Sequence, residues 1–258
     1  MLILLPPSEG KAAPRRGKPL DDAALSFPML TDARKAVREA LVELCTDDPE
    51  RAAAVLDLSV GQRDLIGLNA GLITAPTARA DRVYIGVLYD ALGFDSLSPA
   101  AKRRAGSRVA ITSSLFGLVR PADRIPAYRL SGDAVLPGIG SVAGVWRAAL
   151  GDAVAEALGS GLLVDLRSST YAAFWRPPAT LGRKVATVRV LHEVAGRRQV
   201  VSHFNKATKG RMVRDLLEDG RDPRSPAKLA EVLSDLDWTV ELEATSKGTR
   251  LDVVVAEI

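Results

Sequence analysis

Short β-branched or apolar runs bounded by turn residues recur along this 258-residue chain, and stretches with helical spacing fall between them. The strand-like runs cover residues 2–5, 83–85, 109–115, 162–166, 185–191, 199–204, 239–243 and 251–255. The pair on either side of Ala195-Gly196 reads as a hairpin, because the turn between them tolerates positive φ. Helical spacing predicts helices near 30–45, 49–57, 88–92, 141–158, 207–218 and 226–235, with Ser141 and Ser225 placed to cap first-turn amides. Helices and strands interleave and no long linker divides them. The expectation is one α/β (mixed α+β) domain over 1–258, with a mixed central β-sheet flanked by helices and a basic cleft.

The opening Met1-Leu2-Ile3-Leu4-Leu5 stops at Pro6-Pro7, which suits a short buried strand and falls well short of a signal-peptide core. No run approaches the roughly 18 apolar residues that a membrane helix needs. Cys45 is the sole cysteine, so no internal disulfide can form. Together with 47% hydrophobic residues, enough for a large core, these features predict a soluble cytoplasmic protein with no membrane partner. The polar stretch 8–25 and the glycine-rich stretch 131–141 read as loops.

Charge is unevenly spread. Residues 101–130 hold seven basic side chains against Asp123 alone, and residues 167–214 hold eleven against Glu193 alone. Those stretches carry net +6 and +10, which leaves −12 for the rest of a chain whose total is +4. Such segregation points to a positive surface that attracts polyanions, the alternative being two solvated basic faces that never meet.

Four segments carry candidate chemistry. Pro6-Pro7-Ser8-Glu9-Gly10-Lys11 follows a buried strand, where α/β proteins place ligand contacts. It is not a Walker A loop, since Leu5 stands where the first glycine belongs and Ala12 where a hydroxyl belongs. Ser8 and Lys11 could still donate to an anion, or simply form a solvated turn. Asp165-Leu166-Arg167-Ser168-Ser169-Thr170-Tyr171 ends an apolar strand in a hydroxyl cluster, which reads as an anion site at a helix start or as an ordinary cap. Asp165 needs a partner there, such as a nearby arginine. In 205–214, Lys209 falls on the helical stripe of Met212, Val213, Leu216 and Leu217, with Lys206 near the same line. Either the helix begins late, or these lysines aim into a cleft toward an anion. Finally, 113–130 mixes Phe116 and Tyr128 with Arg120, Arg124 and Arg129; guanidinium forks match phosphates and a tyrosine face stacks on a base, although Arg120 with Asp123 could be a structural pair.

Standard catalytic sets are missing. Two histidines, His192 and His203, and one cysteine argue against a zinc site, and no Gly-x-Ser-x-Gly elbow occurs. No metal is expected and no cofactor is indicated. Any catalysis falls to Lys206, Lys209, Asp165, Ser8 or a tyrosine.

In order, these segments resemble the YaaA peroxide-stress family. The likeness rests on the Pro-Ser-x-x-Lys-like loop at 4–11, on Tyr84-x-Gly86-x-x-Tyr89, and on the specific block Leu115-Phe116-Gly117-Leu118-Val119-Arg120-Pro121-x-Asp123-x-Ile125-x-x-Tyr128-Arg129-Leu130. Trp146, Asp165-Leu166-x-Ser168-Ser169-x-Tyr171 and Lys206-x-x-x-Gly210-Arg211 complete it over about 1–215. The resemblance implies an oxidative-stress role, an α/β core with a positive cleft, and a helix-hairpin-helix-like element that binds DNA, for which this sequence offers Leu65-Ile66-Gly67-Leu68-Asn69 with one glycine.

Two functional classes follow. One is a DNA-binding protective protein in which Ser8, Lys11, Tyr89, Arg120, Tyr128, Arg129, Arg167, Ser168, Ser169, Tyr171, Lys206, Lys209 and Arg211 line the cleft. The other is an enzyme acting on a nucleotide or nucleobase in the same place. Both require the distant cationic stretches to fold together; a narrow pocket would favour the enzyme and a long groove a duplex.

Overall fold

The computed structural model describes residues 1–194, 197–199, 202–245 and 248–256. In chain order the elements are β1 (Leu2–Leu5), α1 (Thr31–Asp47), α2 (Pro49–Val55), α3 (Asp64–Ala70), β2 (Ala78–Arg79), α4 (Ala80–Val83), α5 (Val87–Leu92) and α6 (Pro99–Arg108). Then come β3 (Val109–Ser113), β4 (Gly117–Val119), β5 (Arg124–Ile125), β6 (Val135–Leu136), β7 (Gly140–Ser141), α7 (Val142–Leu158), β8 (Leu163–Asp165) and α8 (Ser169–Ala172). The chain continues with β9 (Val185–Val194), β10 (Arg197–Gln199), α9 (Ser202–Asp219), α10 (Pro226–Asp235), β11 (Thr239–Thr245) and β12 (Gly248–Ala256). Among the described residues no helix is long and apolar enough to cross a membrane.

The central sheet is mixed, in the order β11-β12-β9-β8-β1-β3-β4. Its five inner strands run parallel, and β4 and β11 close the edges antiparallel. All four residues of β1 and all five of β3 are buried, as expected of central parallel strands covered on both faces. Pro6-Pro7 ends β1 because neither residue has an N–H for the ladder.

The expected mixed sheet and flanking helices are present, and Ser141 and Ser225 cap α7 and α10. Two strand expectations change. Around 83–85, α4 runs to Val83 and only an isolated bridge joins Lys11 to Tyr84. At 199–204, β10 ends at Gln199 and α9 begins at Ser202; the buried Thr208 and Met212 continue a four-residue spacing from Phe204, so helical period overrides β-branching there. The Ala195-Gly196 turn lies outside the described residues, while Val194 and Arg197 pair antiparallel beside it. α6 was not anticipated from periodicity because its buried positions are the small Ala101 and Ala105.

Candidate functional site

Because β1, β3 and β8 are parallel, the loops that leave them emerge on one edge of the sheet. β1 leads on to β3 on one side, and β8 lies on its other side and leads on to β9; ligands in α/β sheets bind at such reversals of strand order.

The Pro6–Lys11 loop folds back so that Lys11 bridges Tyr84 and the Ala12 N–H donates to the Val83 carbonyl at 2.9 Å. The Lys11 ammonium donates to the Ser8 carbonyl at 2.9 Å and the Glu9 carbonyl at 3.3 Å. It stands 4.2 Å from the centroid of the Tyr128 ring and 5.7 Å from that of Tyr84, within cation–π range of both. Tyr84 stacks on Tyr89 at 5.7 Å, and the Tyr89 hydroxyl donates to the Pro6 carbonyl at 2.7 Å. The Tyr128 hydroxyl lies 3.0 Å from that of Tyr84 and 2.8 Å from that of Ser113, the last residue of β3. Tyr171 lies in α8, beyond β8, with its ring edge-on to that of Phe174 at 5.2 Å. Of the four tyrosines, Tyr84 and Tyr128 face Lys11 and Tyr89 stacks on Tyr84.

Burial lowers Lys11 to about 7, the positive charge of Arg129 adds to that effect, and Glu9 opposes it. Burial also raises the hydroxyls of Tyr84, Tyr89, Tyr128 and Tyr171. The site thus holds an amine kept well below the ordinary lysine range among phenols kept protonated. Arg129 completes it. Asn69 grips the Arg129 backbone, accepting from its N–H at 2.9 Å and donating to its carbonyl at 2.7 Å. The guanidinium reaches the exposed Glu9 carboxylate only at 3.7 Å, and its buried Nε has no hydrogen-bond partner among the described residues.

On the β8 side, Asp165 finds the arginine it needs in Arg167, which forks onto it at 2.9 and 2.8 Å and also donates to the Tyr171 and Trp175 carbonyls. The pair is buried and turned into the protein. Lys209 does aim inward: α9 begins seven residues before it, and its ammonium donates to the Leu166 carbonyl at 3.1 Å. Burial lowers its pKa and Asp165 opposes that. Lys206, Arg211, Ser168 and Ser169 are exposed, and Ser168 makes no side-chain cap on α8. The hydroxyl of the half-buried Ser8 donates to the Gly10 carbonyl and accepts from the Ile85 N–H, so it secures the turn.

Arg120 is not part of this gathering. It donates to the Ser107 and Val109 carbonyls at 2.9 and 3.0 Å and lies over Phe27. Val109 begins β3 whereas Ser113 ends it, so Arg120 sits at the opposite edge of the sheet. Other basic residues of the two cationic stretches are likewise turned onto backbone carbonyls: Arg104 and Arg108 hold the chain at and just past the end of α9, and Arg214 the end of α5. Arg189 is paired with Asp252 and Arg198 with Glu193 and Glu241. Regional charge counting missed this because it cannot tell an arginine that binds a carbonyl from one that faces solvent. Gly67 lies inside α3 rather than in a hairpin between helices. Tyr84, Ser113, Glu9 and Asn69 belong to the site although they were not singled out; Tyr84 was visible in the Tyr84-x-Gly86-x-x-Tyr89 spacing.

Tyr84 and Tyr89 also wall a depression of ≈ 520 Å³, which shares Asp81, Arg82, Phe94 and Asp95 with a second of ≈ 410 Å³ bounded by Arg79, Lys102 and Arg103. The walls of the two carry Arg79, Arg82, Lys102 and Arg103 together with Asp81, Asp90 and Asp95, and Arg79 is paired with Asp81 at 2.6 Å.

These features define a mixed α/β protein with a lysine enclosed by aromatic rings at the carboxyl edge of its parallel strands. The chain matches the family described as peroxide stress protein YaaA over residues 1–243, and it belongs to that family. It is 53% identical to a UPF0246 protein of Streptomyces coelicolor over the whole of both chains. It is 42% identical to one from Corynebacterium efficiens and 38% identical to one from Corynebacterium glutamicum, in each case over 98% of this chain and 100% of the relative.

Proposed function

We propose that this peroxide-stress family protein binds DNA, or another phosphate-bearing ligand, at the Lys11–Arg129 site and along the adjoining groove. The observation that carries the reading is the juxtaposition of two basic side chains, one enclosed and one with an unpaired buried donor, against a single loosely placed carboxylate. Like charges brought out of water call for an anion, and tyrosine faces beside them suit a base or sugar. Arg103, exposed along the groove, supplies a further phosphate contact, whereas Lys102 donates to the Asp95 carbonyl and Arg82 lies 3.6 Å from the Asp95 carboxylate. A titration of fluorescent single- and double-stranded DNA against salt tests this. Affinity should fall by roughly 0.7 to 0.9 log units per log unit of salt for each phosphate neutralised. Absence of binding at low salt, or a flat salt response, removes the reading.

An enzyme acting on a nucleotide or nucleobase is the second reading, favoured by an amine kept well below the ordinary lysine range. Lys11 serves it better than Lys209, because the charge of Arg129 adds to its desolvation whereas Asp165 opposes that of Lys209. Lys11→Arg keeps the charge and removes the amine, so it should abolish turnover while binding survives.

A further inference from the structure

We propose that Lys11 is an imine-forming residue whose site takes an aldehyde or ketone bearing a phosphate, with Arg129 holding the phosphate and the Lys11 nitrogen attacking the carbonyl carbon. The inference rests on the phosphate-binding reading above and adds a covalent step to it.

Geometry supports it in three ways. The Lys11 nitrogen is walled by the faces of Tyr84 and Tyr128, and among the described residues its hydrogen-bond acceptors are two carbonyls of its own turn, with Glu9 the carboxylate whose charge favours the ammonium. Lys11 is half-buried and the Arg129 side chain keeps 18% of its surface exposed, so both remain open to a substrate beside the exposed Glu9-Gly10 turn. Arg129, whose charge acts directly on Lys11, has a buried Nε without a partner, and its backbone is anchored by Asn69. A desolvated amine beside a second cation is the arrangement that makes a lysine nucleophilic at neutral pH. With Lys11 lowered to about 7, much more of it is neutral at pH 7 than of a lysine at its ordinary value. Lys209 shows the contrast: it is also inward-facing and bound to a carbonyl, but the charge that acts on it is that of Asp165 and not that of a second cation.

The step balances without an oxidant or reductant. The nitrogen lone pair forms the C–N bond as the carbonyl π pair moves to oxygen. A proton passes from nitrogen to that oxygen and gives the carbinolamine. A second proton, from solvent, lets the hydroxyl leave as water, and the nitrogen lone pair closes the C=N bond of a protonated imine.

The test uses the full chain at pH 7 with pyridoxal 5′-phosphate, borohydride reduction and peptide mass analysis. Lys11 should be labelled at least about tenfold faster than the exposed Lys18. Pyridoxal without its phosphate should lose most of that preference, as should Arg129→Gln with the phosphorylated probe, provided that its circular dichroism matches the wild type. Labelling of Lys11 no faster than Lys18, or equal labelling with and without the phosphate, overturns the proposal. Glyceraldehyde 3-phosphate and an oligonucleotide carrying an internal aldehyde then distinguish a free from a polymeric source. Trapping of either at Lys11 supports the imine, and trapping of neither overturns it. A chain that still binds DNA with a salt-dependent affinity but forms no adduct loses the covalent step alone.

Discussion

Lys209 and Leu166, 43 residues apart in sequence, meet at 3.1 Å where the ammonium of an inward-facing helical lysine donates to the carbonyl just past the end of β8. α9 is thereby tied to the carboxyl edge of the sheet at the level of the Asp165–Arg167 pair.

This contact predicts that Lys209→Ala destabilises the fold by about 1–3 kcal/mol, since it leaves a carbonyl without its donor and empties the space of the side chain. Lys209→Met should cost less because it refills most of the volume. Urea unfolding of the two variants checks this. An alanine variant as stable as the wild type would show that the lysine plays no structural part.

A second prediction concerns pH. The folded chain releases the Lys11 proton near pH 7, whereas the unfolded chain holds it up to the ordinary lysine value of 10.5. Between those limits the unfolded state binds more protons, so stability rises with pH across the window. Lys209, also lowered, acts in the same sense. The tyrosines act oppositely. Their hydroxyls are raised when folded, so above about pH 10 the unfolded state has lost protons that the folded state keeps, and stability falls. Urea midpoints measured from pH 6.5 to 11 should therefore pass through a maximum near pH 10, and Lys11→Met should flatten the rising limb. An unchanged slope in that variant would mean that Lys11 titrates normally.

Arginines that hold carbonyls should behave as structural residues. Arg104 donates to the Leu217 and Glu218 carbonyls at 2.6 and 3.0 Å, and Arg108 to those of Gly220 and Arg221 at 3.0 and 2.9 Å, which holds the chain at and just past the end of α9. Arg104→Gln should lower stability by about 1–3 kcal/mol. The salt slope of DNA binding should stay as in the wild type, whereas Arg103→Gln should reduce it by about one phosphate. A change of slope in Arg104→Gln and none in Arg103→Gln would reverse those assignments.

Much of the sheet was legible because its evidence is local: a strand such as Leu2–Leu5, buried on both faces and stopped by Pro6-Pro7, announces itself in five or six residues. α6 left a readable trace in Ser98-Pro99, a capping hydroxyl followed by proline at the first helical position, although its alanines gave no apolar stripe. The site was only half legible. Lys11, Tyr89, Tyr128 and Arg129 come from three separate segments, and no sequence period encodes that they meet. Arg120 misled for the converse reason: a guanidinium suits a phosphate and a row of carbonyls equally well, and only the fold decides which one it finds.

Gly210 gives the last prediction, one in which local propensity and tertiary packing disagree in sign. It lies inside α9, where replacement of an interior glycine by alanine ordinarily stabilises a helix by about 0.5–1 kcal/mol. Here α9 packs against α5 so closely that a Cβ on residue 210 would overlap the Leu88 carbonyl and crowd Ala91 and Leu92. Two of these neighbours are backbone atoms, which cannot swing aside, so the helices must separate. Overpacking of that kind costs about 1–3 kcal/mol and exceeds the propensity gain. Tyr89 is carried on α5 and its hydroxyl holds the Pro6 carbonyl, so the displacement reaches the loop that positions Lys11. Gly210→Ala should accordingly lower the urea midpoint and also weaken DNA binding. A variant stabilised by the substitution would mean that the α5–α9 contact is looser than described and that Gly210 serves neither packing nor the site.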